Sequence, residues 1–378
     1  MSGADDATAP ESQGPTGWLR PVRLLLATDS GRTVLSSGPA LGVYRISSSG
    51  RRQTGVIADA LVEACSSGSL RGHEQTRADR EQALIADLDD VEALVGPAVL
   101  AHRPAPGLAA ALDRLAAGAP SARWLSADGA RHDVWLIGGE QLNWLQSACA
   151  LLDPLYIIDG HHRIAAAARK DEIRRRAGRA GGTGSSGRFL AAVFPTDELA
   201  VHAYHRVVDL SGGPSRDQLL DQLSQRFDVT PADGLDDARP TAPGAFGLGL
   251  DGRWHRLRPR RPAAGAARQT DVAGQTDVEL LEELVLRPLI GIADARRDER
   301  TAFVPDVDDP QALIEAASRP DRACFLVHPL TMDDVLAVAD AGRALPPKST
   351  WFDPKPITGA VLPAERLPIG AAEPAAPL

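Results

Sequence analysis

The sequence is short of cysteine, short of aromatic residues and without a long apolar run. Its 378 residues include three cysteines, two methionines and 4% aromatic residues. Cys65, Cys149 and Cys324 lie far apart and no CxxC spacing occurs. That pattern excludes a disulfide framework and a cysteine-rich zinc site, and reads as three reduced thiols. No stretch of about 18 apolar residues occurs, so no membrane-spanning helix is expected. The start, residues 1–17, has no charged segment followed by an apolar one, so no secretory leader is expected and the reading is cytoplasmic. Nor is there an excess of positive charge. Lys and Arg number 41 against 50 Asp and Glu, a net charge of -9. General nucleic-acid binding, which needs a basic face to displace counterions, is not expected. The GxxxxGK[ST] phosphate loop is absent, no GxGxxG opens a helix after a strand, and no GxSxG elbow occurs.

What is present suffices for a folded protein. Hydrophobic residues make up 43% and charged residues 24%, and the length suggests two or three structural units. Residues 1–17 and 363–378 read as disordered ends, and Arg176–Arg188 as a flexible Gly/Ser loop. Between them, strands are predicted at Gly42–Ile46, Val134–Ile137, Leu155–Ile158, Phe189–Phe194, Val201–Val208, Ala323–Val327 and Gly359–Leu362, with a hairpin of Phe246–Leu250 and Trp254–Leu257. Helices are predicted at Arg77–Leu94, Pro106–Ala116, His161–Ala177, Ser215–Phe227, Asp277–Leu286, Pro310–Ala317 and Met332–Ala341, several with capping signals. The mixture reads as α+β with mixed sheets, divided into units 18–210 and 211–362.

The segment Asp159-Gly160-His161-His162-Arg163 stands out. An apolar strand ends at an acidic residue and a glycine, and a strong helix former follows. Gly160 permits the tight turn, and the first N–H groups of the helix then converge on one spot. Such a helix start, with Arg163, is a natural anion site. Cations at that end do not favour the helix itself, and this conflict points to function. Capping or core packing of the histidines is the competing reading; zinc is another, although His161 and His162 point about 100° apart on a helix.

Three further segments carry candidate chemistry. Gly72-His73-Glu74-Gln75-Thr76-Arg77 offers Glu74 as a general base or a metal ligand, or simply a capped helix start. His205-Arg206 is an unusual pair inside an apolar strand, unless that strand is an exposed edge. Pro346 to Gly359 (PPKSTWFDPKPITG) offers Lys348, Ser349 and Thr350 as anion ligands on a rigid loop.

These segments in this order resemble the bacterial family named domain of unknown function 1015, from about Gly42 to Leu362. The resemblance rests on Thr54-Gly55-Val56-Ile57, His73-Glu74, the Asp159–Arg163 motif, His205-Arg206-Val207-Val208, Leu284 to Gly291 and the Lys348-Ser349-Thr350 segment. Through the family, the chain is distantly similar to the ParB and sulfiredoxin-like superfamily, which implies a nucleotide-binding core, and to free L-serine kinases. The resemblance implies a phosphotransferase acting on a small amino acid such as serine, with ATP, ADP or CTP as donor and Mg²⁺. Gly160, His161, Arg163, His205, Arg206, Lys348, Ser349 and Thr350 would then bind nucleotide phosphates. Glu74, Asp159 and His162 would be catalytic, with Asp159 also holding the metal. His73, Thr76 and Arg77 would bind the acceptor. A non-catalytic nucleotide switch and a nucleotide hydrolase are the alternatives.

Overall fold

The computed structural model describes residues 17–27, 33–48, 50–74, 96–178, 187–260, 275–295, 297–307, 310–346 and 348–364. The apolar run Leu155-Tyr156-Ile157-Ile158 is buried on both sides, as a strand covered on both faces requires. Leu155 and Ile157 enter one core, whereas Tyr156 and Ile158 enter another. The same alternation sends Val56, Ala58 and Ala60 to the first core and Ile57 to the second. A period of two thus makes one sheet the partition between two apolar layers.

That sheet has nine strands. Along its main path the order is Leu70–Arg71, Leu155–Asp159, Ala98–His102, Arg188–Pro195, Arg51–Leu61, Leu41–Ser48, Arg131–Ile137 and Ala122–Leu125, and Leu19–Arg20 pairs with Arg51–Leu61. Leu155–Asp159 runs parallel to Leu70–Arg71 and antiparallel to Ala98–His102. A second sheet runs Phe227–Ala232, Arg253–Pro259, Phe246–Leu250, Arg322–Leu326, Ala200–Asp209 and Thr301–Pro305, and Thr350–Asp353 pairs with the first half of Ala200–Asp209. A small third sheet joins Val361–Pro363 to Leu24–Ala27 and Thr33–Leu35. The architecture is α+β with mixed sheets.

The division at 210/211 does not follow the sheets. The second sheet begins at Ala200, and the last part of the chain returns to the first unit. Val335, Leu336 and Ala339 of helix Met332–Asp340 pack in the same core as Leu24, Tyr44 and Tyr156. Pro363, read as the start of a disordered tail, is buried as the last residue of its strand, and the Ala364 N–H donates to the Arg23 carbonyl.

Helix starts follow their sequence signals. Ser215, Thr276 and Thr331 each form a capping box with the residue three places on. The Thr276 helix changes character after Leu281 and continues as a π-helix, Glu282–Ile290, with Pro288 inside it. Pro288 has no N–H to give, which accounts for the loss of regular α bonding. The predicted helix Arg77–Leu94, with Thr76 and Arg77, lies outside the described residues. Many elements escaped the sequence reading, among them the short strands Leu24–Ala27, Ala98–His102, Thr301–Pro305 and Thr350–Asp353. Arg51–Leu61 is interrupted by Gly55 and Asp59, which break the apolar pattern, and helix Gly139–Cys149 begins without a capping side chain.

Gly55 is required by the approach of the adjacent strand. A Cβ there would lie 2.2 Å from the Val193 carbonyl oxygen and 2.6 Å from Phe194 Cδ1. Gly55→Ala is therefore expected to destabilise the protein by about 1–3 kcal/mol, measured as a lower urea midpoint.

Candidate functional site

Asp159 ends the strand Leu155–Asp159, and Gly160 turns the chain into helix His161–Arg176. Gly160 has φ 96°, a left-handed conformation that a residue with a Cβ adopts only under strain. A Cβ there would also lie 3.0 Å from Arg163 Nη2 and 3.1 Å from Ala98 Cβ. With glycine at the cap position, no side chain closes the helix start. The first N–H groups of an α-helix have no acceptor within the helix, so this end offers donors and the positive end of its dipole.

Arg163 locks the turn. Its Nη2 donates to Asp159 Oδ2 at 2.9 Å, and its Nη1 donates to the Gly96 carbonyl. Lys355 Nζ lies 3.7 Å from the other Asp159 oxygen.

A cleft of about 240 Å³ opens over this turn. One wall is Ile158 to Arg163. The facing walls are Glu74, Tyr204, Lys348, Thr350, Phe352 and Lys355. Glu74 arrives through a parallel bridge to Leu345, next to the carbonyl of His73, which accepts from the Leu345 N–H at 2.7 Å. The remaining side chains come from the paired strands Ala200–Asp209 and Thr350–Asp353 and the loop residues beside them. The structure thus gathers Glu74, Asp159, Gly160, His161, His162, Arg163, Lys348 and Thr350 around one space.

Other expected site residues sit elsewhere. His205 is buried on the far side of its strand, where Nδ1 accepts from the Val327 N–H at 3.3 Å and Nε2 lies 3.4 Å from Asp306. Strand alternation sends Tyr204 to the cleft and His205 away from it. Arg206 is fully buried and does not line the cleft. It donates to the carbonyls of Tyr204 and Lys348, the latter at 3.0 Å. Burial pulls its guanidinium down to about 10, against the opposing pull of Glu282. Its job here is to hold the backbone of Lys348, a non-glycine residue at φ 59°. Ser349 is buried and donates to the Pro346 carbonyl, so its hydroxyl serves the loop. Pro347, Thr76 and Arg77 lie outside the described residues. Tyr204 and Lys355 lay inside the candidate segments but were assigned no role. No sequence signal marked the tyrosine as facing a charged space, and the lysine stood among prolines as one more loop charge.

The histidines divide sharply. His161 is only 8% exposed, and its Nε2 accepts from the His73 N–H at 3.4 Å. The two rings meet edge to face at 4.6 Å. His73 is itself buried, 5.7 Å from the Phe352 ring, with Nε2 3.4 Å from Thr350 Oγ1. Burial lowers the pKa of His161 well below the usual range, and the neighbouring His73 and His162 push it the same way. Burial also lowers His73 to about 4, although the Ile157 carbonyl and Asp159 oppose this. Both rings are neutral at neutral pH; His161 lines the cleft and His73 packs behind it. His162, half-buried, is the motif histidine whose accessibility suits a ligand contact.

The positive charge of the cleft therefore belongs to the lysines and the helix end. Lys355 Nζ stands 3.6 Å from the centre of the Trp351 ring, and Lys348 Nζ 5.3 Å from that of Tyr204. Burial lowers the Lys355 pKa; Asp159 resists the shift, while Lys348 and Arg163 add to it. Burial, then Asp159 and Glu74, raises the Tyr204 hydroxyl to about 12, so it remains a donor at neutral pH. Among the described residues, no group of three or more His, Cys, Asp or Glu could form a metal cage.

An α+β fold with an uncapped helix start at a cleft defines the class. The family model described as a protein of unknown function (DUF1015) matches residues 24–280, more than half of the chain, and the chain belongs to that family. No curated protein matches. Among solved structures, the chain is similar to C-terminally truncated SbnI from Staphylococcus aureus (11% identity, 79% of this chain and 82% of that chain, TM-score 0.40). It is also similar to a conserved hypothetical protein from Pyrococcus furiosus (12% identity, 78% and 90%, TM-score 0.37). A third is a free serine kinase in complex with AMP (12% identity, 78% and 86%, TM-score 0.38). No described helix is long and apolar enough to cross a membrane.

The buried histidines set a pH dependence. Their folded pKa values lie below the ordinary 6.5. As pH falls from 6.5 towards 4, the unfolded chain takes up protons that the folded rings refuse. Stability is therefore full above that window and declines within it, by up to about 1.4 kcal/mol per pH unit for each histidine. Urea melts across this range are expected to show the decline, and His73→Gln to flatten it.

Proposed function

We propose that this protein is a nucleotide-dependent phosphotransferase that phosphorylates the hydroxyl of a small amino acid such as free L-serine. The observation that carries the reading is the meeting, in one cleft, of an uncapped helix start and two lysines with the Glu74 carboxylate. Phosphoryl transfer needs charge neutralisation and alignment more than covalent chemistry from the protein. The distant similarity, through the family, to free serine kinases supports the acceptor class.

In this reading the N–H groups after Gly160, with His162, Lys348 and Thr350, hold the donor phosphates. Arg163 acts through the turn it braces against Asp159 and Gly96. Glu74 takes the proton of the acceptor hydroxyl as that oxygen attacks the terminal phosphorus. The bond from phosphorus to the bridging oxygen breaks, and the shortened nucleotide carries away the electron pair. Tyr204, protonated and beside both carboxylates, donates to an oxygen of donor or acceptor.

Magnesium suits this donor set. It binds through one or two carboxylates together with substrate phosphates. The Asp159 side chain, 42% exposed at the cleft, is the carboxylate that would share the ion and help neutralise phosphate charge. ATP, ADP and CTP are the donors to compare.

The test is transfer of labelled phosphate from each nucleotide to a panel of hydroxy amino acids. Glu74→Gln is expected to keep nucleotide binding and lose turnover. Lys348→Ala is expected to weaken nucleotide binding about tenfold or more, as loss of a charge-assisted contact does. Nucleotide binding without a phosphorylated product from any acceptor would overturn the kinase reading in favour of a nucleotide switch.

A further inference from the structure

Two ammonium groups share the mouth of the cleft, each backed by an aromatic ring. The Lys355 ammonium rests on Trp351 at 3.6 Å and the Lys348 ammonium on Tyr204 at 5.3 Å. The rings themselves meet edge to face, 5.7 Å apart at 75°. Both lysines line the same space as the helix start. Their positions are built in. Arg206 donates to the carbonyls of Tyr204 and Lys348, bracing one pair from behind. Gln53 Nε2 donates to the Pro354 carbonyl at 3.1 Å, and the Ile357 N–H donates to Tyr44 Oη at 3.2 Å, pinning the loop on either side of Lys355. Tyr44 Oη in turn meets His132 Nδ1 at 2.8 Å. Like charges held side by side oppose each other, and Asp159, 3.7 Å from Lys355, already shares itself with Arg163.

We propose that Lys348 and Lys355 form a two-lysine clamp for a chain of linked phosphates, with Asp159 as the resting counterion that Lys355 leaves when the chain binds. The clamp rests on the reading of the cleft as a phosphate site and deepens it, because it names the part of the donor that is recognised. A single phosphate reaches the helix start and one lysine. A diphosphate or triphosphate spans the helix start and both lysines, so affinity rises with the number of linked phosphates. The stacked geometry supplies a reporter, since an anion bound to the ammonium changes the charge beside the indole.

The experiment uses the full chain without nucleotide. Inorganic phosphate, pyrophosphate and tripolyphosphate are titrated by calorimetry, and tryptophan emission is followed in parallel. Affinity is expected to rise in that order, with a change in emission on binding of the longer two. Lys355→Gln is expected to weaken tripolyphosphate at least about tenfold while leaving inorganic phosphate within about twofold, and Lys355→Arg to restore part of the loss. Trp351→Phe keeps an aromatic backing, so it should bind but lose the emission change. Native-like melting of each variant separates binding from folding. Equal affinity for all three anions, or tripolyphosphate binding unchanged in Lys355→Gln, would overturn the clamp while leaving the phosphate site standing. No binding of any of the three by the native chain would overturn both.

Discussion

The cleft depends on the return of the chain's last part to its first. Val361–Pro363 pairs with Leu24–Ala27, and Thr350–Asp353 pairs with Ala200–Asp209. These ladders carry Lys348 and Lys355 to a helix start that lies far back in the chain. Without them, the Asp159–Arg163 motif would be a turn with one wall. The closure is secured by burial as well as by hydrogen bonds: Val361, Phe352 and Ala360 enter the same core as Leu24, Leu26 and Tyr44. Loop closure over so long a stretch costs entropy that grows only slowly with length, so a modest apolar contact can hold it. The last stretch of the chain is thus part of the site's construction, and the sheet below it sets the site's precision.

Within the motif, opposite tasks fall to neighbouring residues. Gly160 makes room, Asp159 and Arg163 clamp the turn, and His161 drops into the core against His73. Burying a neutral imidazole with an N–H donated to it is tolerable, whereas burying a charged one is not. A reading that counted both histidines as cations overstated the positive charge at the helix start. The structure moves that charge to the lysines, whose long stems reach the cleft while aromatic rings support their heads.

What was legible in the sequence was local. The strand, glycine and helix of residues 155–176 follow from an apolar run, a residue free to turn and a run of alanines, and they appear where expected. So do the helix caps at Thr276 and Thr331. The α+β class followed from the mixture of periods. What could not be read was facing and closure. His205 and Arg206 looked like cleft cations because of their type, yet one points to Asp306 and the other braces carbonyls from within the core. Which face of a strand a residue takes depends on the partner sheet, which a single strand's sequence does not specify. Lys355 and Tyr204 came into view only through pairing between segments about 150 residues apart. The second sheet starts at Ala200, ahead of the boundary read near 210, because strand Ala200–Asp209 pairs with segments from later in the chain.

The arrangement of charge also constrains what the cleft can do. Burial, then Asp159 and Glu74, keeps the Tyr204 phenol protonated, and the lysines offset the carboxylates nearby. A site with carboxylates alone would repel a phosphate chain. A site with lysines alone would bind one but would have no group to accept a hydroxyl proton. Side by side, the two sets allow an anion to be held while a carboxylate remains near it, because the cations screen one from the other. This balance requires that the lysines be fixed, since a free lysine would collapse onto the nearest carboxylate. Trp351 and the loop bonds from Gln53 and Tyr44 oppose that collapse for Lys355; Tyr204 and Arg206 do so for Lys348. Arg206, read from the sequence as a phosphate ligand, joins Gln53 and Tyr44 among the buried polar residues that keep the cleft's charges apart.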